Sequence, residues 1–257
     1  MKNFTYVLDL CFRTIKFEST MKVSSLALLV SLLAATITSR AADITGMITL
    51  QGTPPAEVVI QPLLDDPTCG GLHTDTPTTH FYVVGKNGEF ADVVVSLKDA
   101  SGNAITGKST GASAPSVVLD QQGCLYTPQI LAIQTGQKLV VKNSDPCVHN
   151  VHVISKAGNT EHNDVQVPNG ADLTYTFDKP EMFMKFQCDV HPWMFAWVTL
   201  FDSPYYAISG TDGKFVIKDV PPGTYTVVAS HRKLGDQTQT VTVADKDVTA
   251  NFTFQVK

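Results

Sequence analysis

From residue 42 onward the chain is built of short apolar-rich runs divided by turn residues. The pattern predicts strands near residues 44–50, 81–84, 92–97, 131–133, 138–142, 150–154, 173–177, 183–186, 196–201, 214–217, 224–229, 239–243 and 251–256. The punctuation is rich in Gly, Pro and Asp: Gly52-Thr53-Pro54-Pro55, Asp99-Ala100-Ser101-Gly102, Thr211-Asp212-Gly213 and Pro221-Pro222-Gly223. Many short strands with regular turns indicate β-sandwiches or barrels. The chain has 14 prolines and 17 glycines and few long Ala/Leu/Glu/Lys stretches, which argues against a helical bundle. The expectation is an all-β body.

The start of the chain has a different pattern. Met21-Lys22 opens a short positive region, and residues 24–35 (SSLALLVSLLAA) form a nearly unbroken apolar run. Ser39 and Ala41 are small residues placed for cleavage before Ala42. That layout is a secretory signal peptide. The run is shorter than the roughly 20 residues that a membrane anchor needs. Residues 1–41 are therefore expected to be removed on export to the periplasm or medium, with Met21 as an alternative initiator. No membrane span is expected after cleavage.

Composition narrows the partners. Residues 1–42 hold five of the 19 basic residues and two of the 24 acidic ones, so residues 43–257 carry 14 against 22, a net charge of −8. No basic surface is available to displace counterions from a nucleic acid. With 43% hydrophobic and 17% charged residues the body is too apolar for a disordered chain. Cys11 leaves with the leader, so Cys69, Cys124, Cys147 and Cys188 would face an oxidising compartment.

The chemistry concentrates in residues 181–198, EMFMKFQCDVHPWMFAWV, where a strand ends at Cys188 and is followed by His191 and Met194. A thiolate, an imidazole and a thioether at Cys-x2-His-x2-Met spacing are soft or borderline donors. Two histidines, a cysteine and a weak axial methionine are the donor set of blue-copper electron-transfer sites. The second histidine must come from elsewhere, and residues 145–152 (DPCVHNVH) offer His149 and His152. Strand parity separates them: His149 shares a face with Val151 and Val153, whereas His152 shares its face with Asn150. An inward apolar face favours His149. By the same test Cys188 points inward together with Met182, Met184 and Phe186.

Other metal-capable residues have plainer accounts. Glu161-His162 lies in a polar stretch (AGNTEHND) read as a solvated loop, with an extra ligand there as the alternative. Cys69 and His73 lack a partner cysteine at zinc-finger spacing. Cys69 and Cys124 both sit in Gly-adjacent turns away from the ligand loop and are expected to form a disulfide, leaving Cys147 free near the metal or as an alternative partner. Trp197 is expected in the core, and Trp193 beside Pro192 at an apolar surface around His191. No Ser/His/Asp triad, paired carboxylates or phosphate loop is visible, and no enzymatic activity is expected.

On these residues, 116–202 resemble a cupredoxin, with the short ligand loop closer to that of amicyanin than of plastocyanin. The stretch 126–145, containing Tyr126-Thr127-Pro128, Gly136 and Asn143-Ser144-Asp145, is similar to the family's lead-in to its first histidine. The resemblance implies one type 1 copper held by His149, Cys188 and His191, with Met194 axial. Many cupredoxins have proline before the first histidine, where this chain has Val148. Asn150 follows His149 as in amicyanin, which implies that its side chain braces the ligand loops.

Residues 208–227 (ISGTDGKFVIKDVPPGTYTV) resemble the carboxypeptidase-regulatory, transthyretin-like sandwich. Phe215, Ile217, Tyr225 and Val227 alternate into its core, between hairpin turns set by Gly and Pro. That family's opening strands resemble residues 44–52 and 91–97, which precede the copper module. The expected organisation is a transthyretin-like sandwich formed by 43–110 and 203–257 with a cupredoxin-like Greek-key sandwich, 111–202, inserted; tandem domains are the alternative. The expected function is an exported blue-copper carrier of single electrons, with a small redox protein such as a cytochrome as partner. The alternative is a non-enzymatic module for copper handling or carbohydrate binding, the latter limited to Tyr205, Tyr206 and Tyr225 as aromatic surface. An oxidase is disfavoured because no His-x-His pairs occur.

Overall fold

The computed structural model describes residues 40–256. All but the last two residues of the expected leader lie outside the described residues. No helix among them is long and apolar enough to cross a membrane. Among the described residues seventeen strands follow one another: β1 (Ala42–Gln51), β2 (Val94–Lys98), β3 (Val117–Gln122), β4 (Leu125–Thr127), β5 (Ile130–Gln134), β6 (Leu139–Asn143), β7 (His149–Ile154), β8 (His162–Gln166) and β9 (Leu173–Tyr175). Then come β10 (Glu181–Gln187), β11 (Phe195–Phe201), β12 (Tyr206–Ile208), β13 (Lys214–Val220), β14 (Gly223–His231), β15 (Gly235–Val243), β16 (Val248–Thr249) and β17 (Phe252–Gln255). The short helix α1 (Gln61–Asp65) and a 3-10 turn at Gly70–Leu72 lie between β1 and β2.

The strands form two sandwiches, one inserted in the other. The outer sandwich pairs β13-β1-β16, with β17 also on β1, against β12-β2-β14-β15. Its pairings join the two ends of the chain: Gly46 lies opposite Phe215, Ile48 beside Phe252, and Leu97 opposite Val227. Gly46 is required there, because a Cβ at that position would collide with the Ala250 carbonyl and the Phe215 ring. Ile44, Ile48, Val95, Phe215, Val227 and Phe254 fill the space between the two sheets. The inner sandwich pairs β5-β11-β10-β7-β8 against β4-β3-β6-β9, around Leu119, Val141, Val151, Met184, Phe186 and Val198.

Three expectations need correction. Residues 43–110 do not all belong to the outer sandwich: Ile60, Leu63 and Cys69 are buried in the inner core, so the segment carrying α1 leaves the outer sandwich and packs on the inner one. Residues 81–84 form no strand, because the backbone N–H groups of Phe81 and Tyr82 donate to the Glu57 carboxylate at 2.8 and 2.6 Å instead of to a neighbouring strand. Of residues 157–164, read as a solvated loop, the last three belong to β8 on the edge of a sheet, where a polar strand carries no apolar alternation.

Candidate metal centre

Two strand ends bring the donors together. β7 begins at His149 and pairs with β10, which ends just before Cys188; Gln187 lies opposite His152. β7 buries His149, Val151 and Val153 and leaves His152 half-buried. Between β10 and β11 the chain turns tightly: the Cys188 N–H donates to the Met194 carbonyl (3.1 Å), and the Met194 N–H to the His191 carbonyl (2.9 Å). Cys188, His191 and Met194 are thereby fixed on one turn, all buried.

The alternation on β10 is broken before it reaches Cys188. Phe183 has φ 54°, and the register with β11 slips by one residue between Glu181 and Met184. This bulge turns Met182 outward, 45% exposed, and Glu181 inward. Met182 therefore does not share the inward face expected for it. The Glu181 carboxylate is satisfied by Ser155 Oγ (2.7 Å), the Lys156 N–H (2.6 Å) and Asn159 Nδ2 (3.1 Å).

Among the described residues, His149, Cys188 and His191 form a buried donor group. His149 Nδ1 and His191 Nδ1 are 2.9 Å apart, and Cys188 Sγ lies 3.9 and 3.7 Å from them. A circle through these three atoms has a radius of about 2.1 Å. Metal–imidazole bonds are about 2.0–2.1 Å and metal–thiolate bonds about 2.3 Å. One ion at the centre of this triangle can reach all three donors, so the residues fit a trigonal metal site. Met194, on the same turn, is fully buried in the core cluster that holds Cys188.

The surrounding groups orient each donor. His149 Nε2 faces the Asp145 carboxylate at 3.0 Å, so an Nε2 proton donates to it and the ring is held with Nδ1 turned to the site. Asp145 also accepts from the Gly123 and Cys124 N–H groups at 2.6 and 2.7 Å, so one buried carboxylate ties the ligand strand to the β3–β4 turn. Asn150 accepts at Oδ1 from the N–H groups of Asp189 (2.6 Å) and Val190 (3.3 Å), and its own N–H points at Cys188 Sγ (3.5 Å). Its side chain thus bridges the two ligand-bearing segments. His152 lies outside the triangle and donates to Asp189, with Nδ1 2.9 Å from Oδ2.

Charge follows from these contacts. Burial opposes a thiolate at Cys188, but hydrogen bonds from His149 and from backbone N–H groups outweigh it and bring the thiol below its usual range. Burial likewise opposes a charge on His149, yet its bonds with Asp145 and Cys188 prevail and push it up to about 9. His191 is held low by burial and by the neighbouring His149. The His152 hydrogen bond, with others from Gln187, Asn163 and Asn150, holds Asp189 down to about 2.

The sulfur chemistry extends beyond the triangle. Cys69 and Cys124 are disulfide-bonded, as expected from their turns, and Cys147 is free. Cys147 Sγ lies 3.7 Å from Cys124 Sγ and 3.5 Å from His149 Nε2. The disulfide fastens the segment around α1 beside His191, which is only 7% exposed. Trp193 packs its ring 5.2 Å from that of His191 and donates to the Cys124 carbonyl (3.1 Å). Trp197 is not core; it is half-buried under the Arg232 guanidinium, 3.8 Å from the ring centre, where the outer sandwich meets the inner.

The remaining candidates stand apart. The His162 ring packs tilted against that of Tyr175, with ring centres 4.5 Å apart, and His73 Nε2 contacts the Gly123 carbonyl at 2.7 Å. Tyr206 stacks on Phe201, Tyr225 donates to the Pro221 carbonyl and Tyr205 packs on the outer core, so these tyrosines present no common flat platform. Asn163 and Asp189, together with Ile60 and Leu63 of the segment around α1, complete the surroundings of the site without having been singled out in the sequence, and Asp145 was noted there only as part of the lead-in to His149. The Asp-Pro turn four residues before His149 was the available signal for Asp145.

The carboxypeptidase regulatory-like domain family matches residues 191–257. A search of curated proteins returned no match. Among solved structures, a proline-to-alanine mutant of amicyanin in its oxidised state is similar at 20% identity and TM-score 0.30, over 41% of this chain and 91% of that one. A purple cupredoxin from Nitrosopumilus maritimus is similar at 22% identity and TM-score 0.28, over 34% and 99%. A Cu-containing nitrite reductase from Thermus scotoductus SA-01 is similar at 22% identity and TM-score 0.31; the match spans 34% of this chain and 22% of that one.

Proposed function

We propose that the protein is exported, holds one copper ion as a mononuclear type 1 centre and carries single electrons without turning over an organic substrate. The observation that carries this reading is the buried triangle of His149 Nδ1, His191 Nδ1 and Cys188 Sγ. Cys188 would supply a thiolate, His149 and His191 imidazole nitrogens and Met194 a thioether to hold the ion. When bound, copper would supply one-electron exchange between its cuprous and cupric states. The chain's part is to keep the donors still: Asp145 fixes the His149 ring, Asn150 clamps the loop at Asp189 and Val190, and the Cys188–Met194 turn closes on itself. Donors that do not move between the two states lower the reorganisation that electron exchange requires.

Val148 and Val190, 42% and 56% exposed, flank the ligand segments with apolar surface. The acidic body supports a basic partner such as a small cytochrome, drawn in by long-range attraction. A second reading, copper handling, is supported by the free thiol of Cys147, a soft donor 3.5 Å from His149 Nε2 beside the triangle. Stopped-flow mixing of the copper-loaded protein with a reduced basic cytochrome separates the two. A carrier exchanges one electron reversibly, and Val190→Lys slows the exchange several-fold with the copper spectrum unchanged. Negligible exchange together with rapid copper transfer to a metal-free acceptor would replace the carrier by the handling reading.

A further inference from the structure

A cavity of about 470 Å³ opens at the meeting point of three parts of the chain. The segment around α1 contributes Val59 and Thr78, the inner sandwich Leu125, Tyr126, Trp193 and Phe195, and the outer sandwich Asp92. That volume lies in the range of small-molecule sites, which favour such junctions and combine apolar walls with a few polar groups. The Trp193 face that helps line this cavity belongs to the same ring that packs on His191.

The polar groups are unusual in two respects. Among the described residues nothing hydrogen-bonds the Asp92 carboxylate; burial raises its pKa, and the nearby His80 pulls it the other way. Asp92 and His80 also both have left-handed backbone, at φ 61° and 50°. That conformation carries strain for residues other than glycine, and such strain gathers at binding sites. The Asp92 N–H donates to the Ser209 carbonyl at 3.1 Å, so the outer sandwich holds the carboxylate where it lines the cavity.

We propose that this cavity is a binding site for a flat aromatic molecule bearing a hydrogen-bond donor, whose ring lies among Leu125, Tyr126, Trp193 and Phe195 and whose donor meets Asp92. A carboxylate wall repels anionic ligands and rewards a neutral hydroxyl or a protonated nitrogen. The site does not depend on a metal, so its test is independent of the copper reading.

The probes are 2-naphthol and 2-naphthoate, titrated into the purified protein by calorimetry, with amide and indole N–H shifts followed by NMR. The expected result is one 2-naphthol per chain, 2-naphthoate weaker by about tenfold or more, and shifts centred on Leu125, Gln129 and the Trp193 indole. Val59→Trp, at a position 42% exposed, should fill the cavity and weaken 2-naphthol by about tenfold or more. Asp92→Asn, which tolerates the left-handed backbone, should bring the two probes to within about threefold of each other. Equal binding of the two probes to the unaltered protein, or shifts scattered away from Trp193, would overturn the site. So would the absence of binding at millimolar probe.

Discussion

Removing the Cys69–Cys124 disulfide tests how the segment around α1 is held beside the ligand turn. The bridge closes a sequence separation of 55 residues. Loop-closure entropy for a ring of that size amounts to about 14 cal/mol/K, or about 4 kcal/mol at 25 °C. Both cysteines are fully buried, so replacing them with alanine also leaves small gaps in the inner core, and the expected loss is about 3–5 kcal/mol. The change is made in a Cys147→Ala background, so that no other pairing can form. Urea unfolding followed by tryptophan fluorescence is a clean assay, because the chain's two tryptophans, Trp193 and Trp197, both lie at the inner sandwich. With a slope of about 2 kcal/mol/M the midpoint should fall by about 2 M. A shift below about 0.5 M would mean that the segment is held by its own packing through Ile60 and Leu63, and would refute the assignment of its stability to the bridge.

Two further predictions rest on single side chains. Asn150→Ala removes the acceptor for the Asp189 and Val190 N–H groups; stability should fall by about 1–3 kcal/mol in thermal unfolding, and the copper form should show a broadened, heterogeneous EPR signal. His231 is 3% exposed, and burial pushes its pKa down to about 4. The folded imidazole therefore stays neutral, while the unfolded one, near 6.5, takes up a proton. Its stability contribution is intact above about pH 6.5 and is lost as pH falls towards 4, by up to about 3 kcal/mol. His231→Phe should flatten that part of the stability–pH curve, and an unchanged slope would show that other groups set it.

That His149, Cys188 and His191 come together was legible in the sequence because the signal is local. Cys188, His191 and Met194 share one seven-residue turn, and alternation on β7 separates a buried His149 from a half-buried His152. The turn pair 69 and 124 was likewise readable from its glycine neighbours. What escaped is long-range or irregular. The segment around α1 has no apolar period that assigns it to either sandwich, and its three inner-core residues are recognised only once the disulfide brings it there. The bulge at Phe183 breaks the parity that would have buried Met182, and the Arg232 contact draws Trp197 to the junction between the sandwiches. Asp145 bonds at once to His149 and to the turn carrying Cys124, a convergence that no spacing along the chain discloses.

The visible and EPR spectra of the protein loaded with one equivalent of cupric ion test the central claim most directly. The triangle of His149, Cys188 and His191 predicts an intense thiolate-to-copper absorption with narrow copper hyperfine splitting. Both should vanish in Cys188→Ser while the circular dichroism of the folded chain is retained. A protein that takes up stoichiometric copper yet stays colourless, or whose spectrum survives the loss of Cys188, would contradict the account.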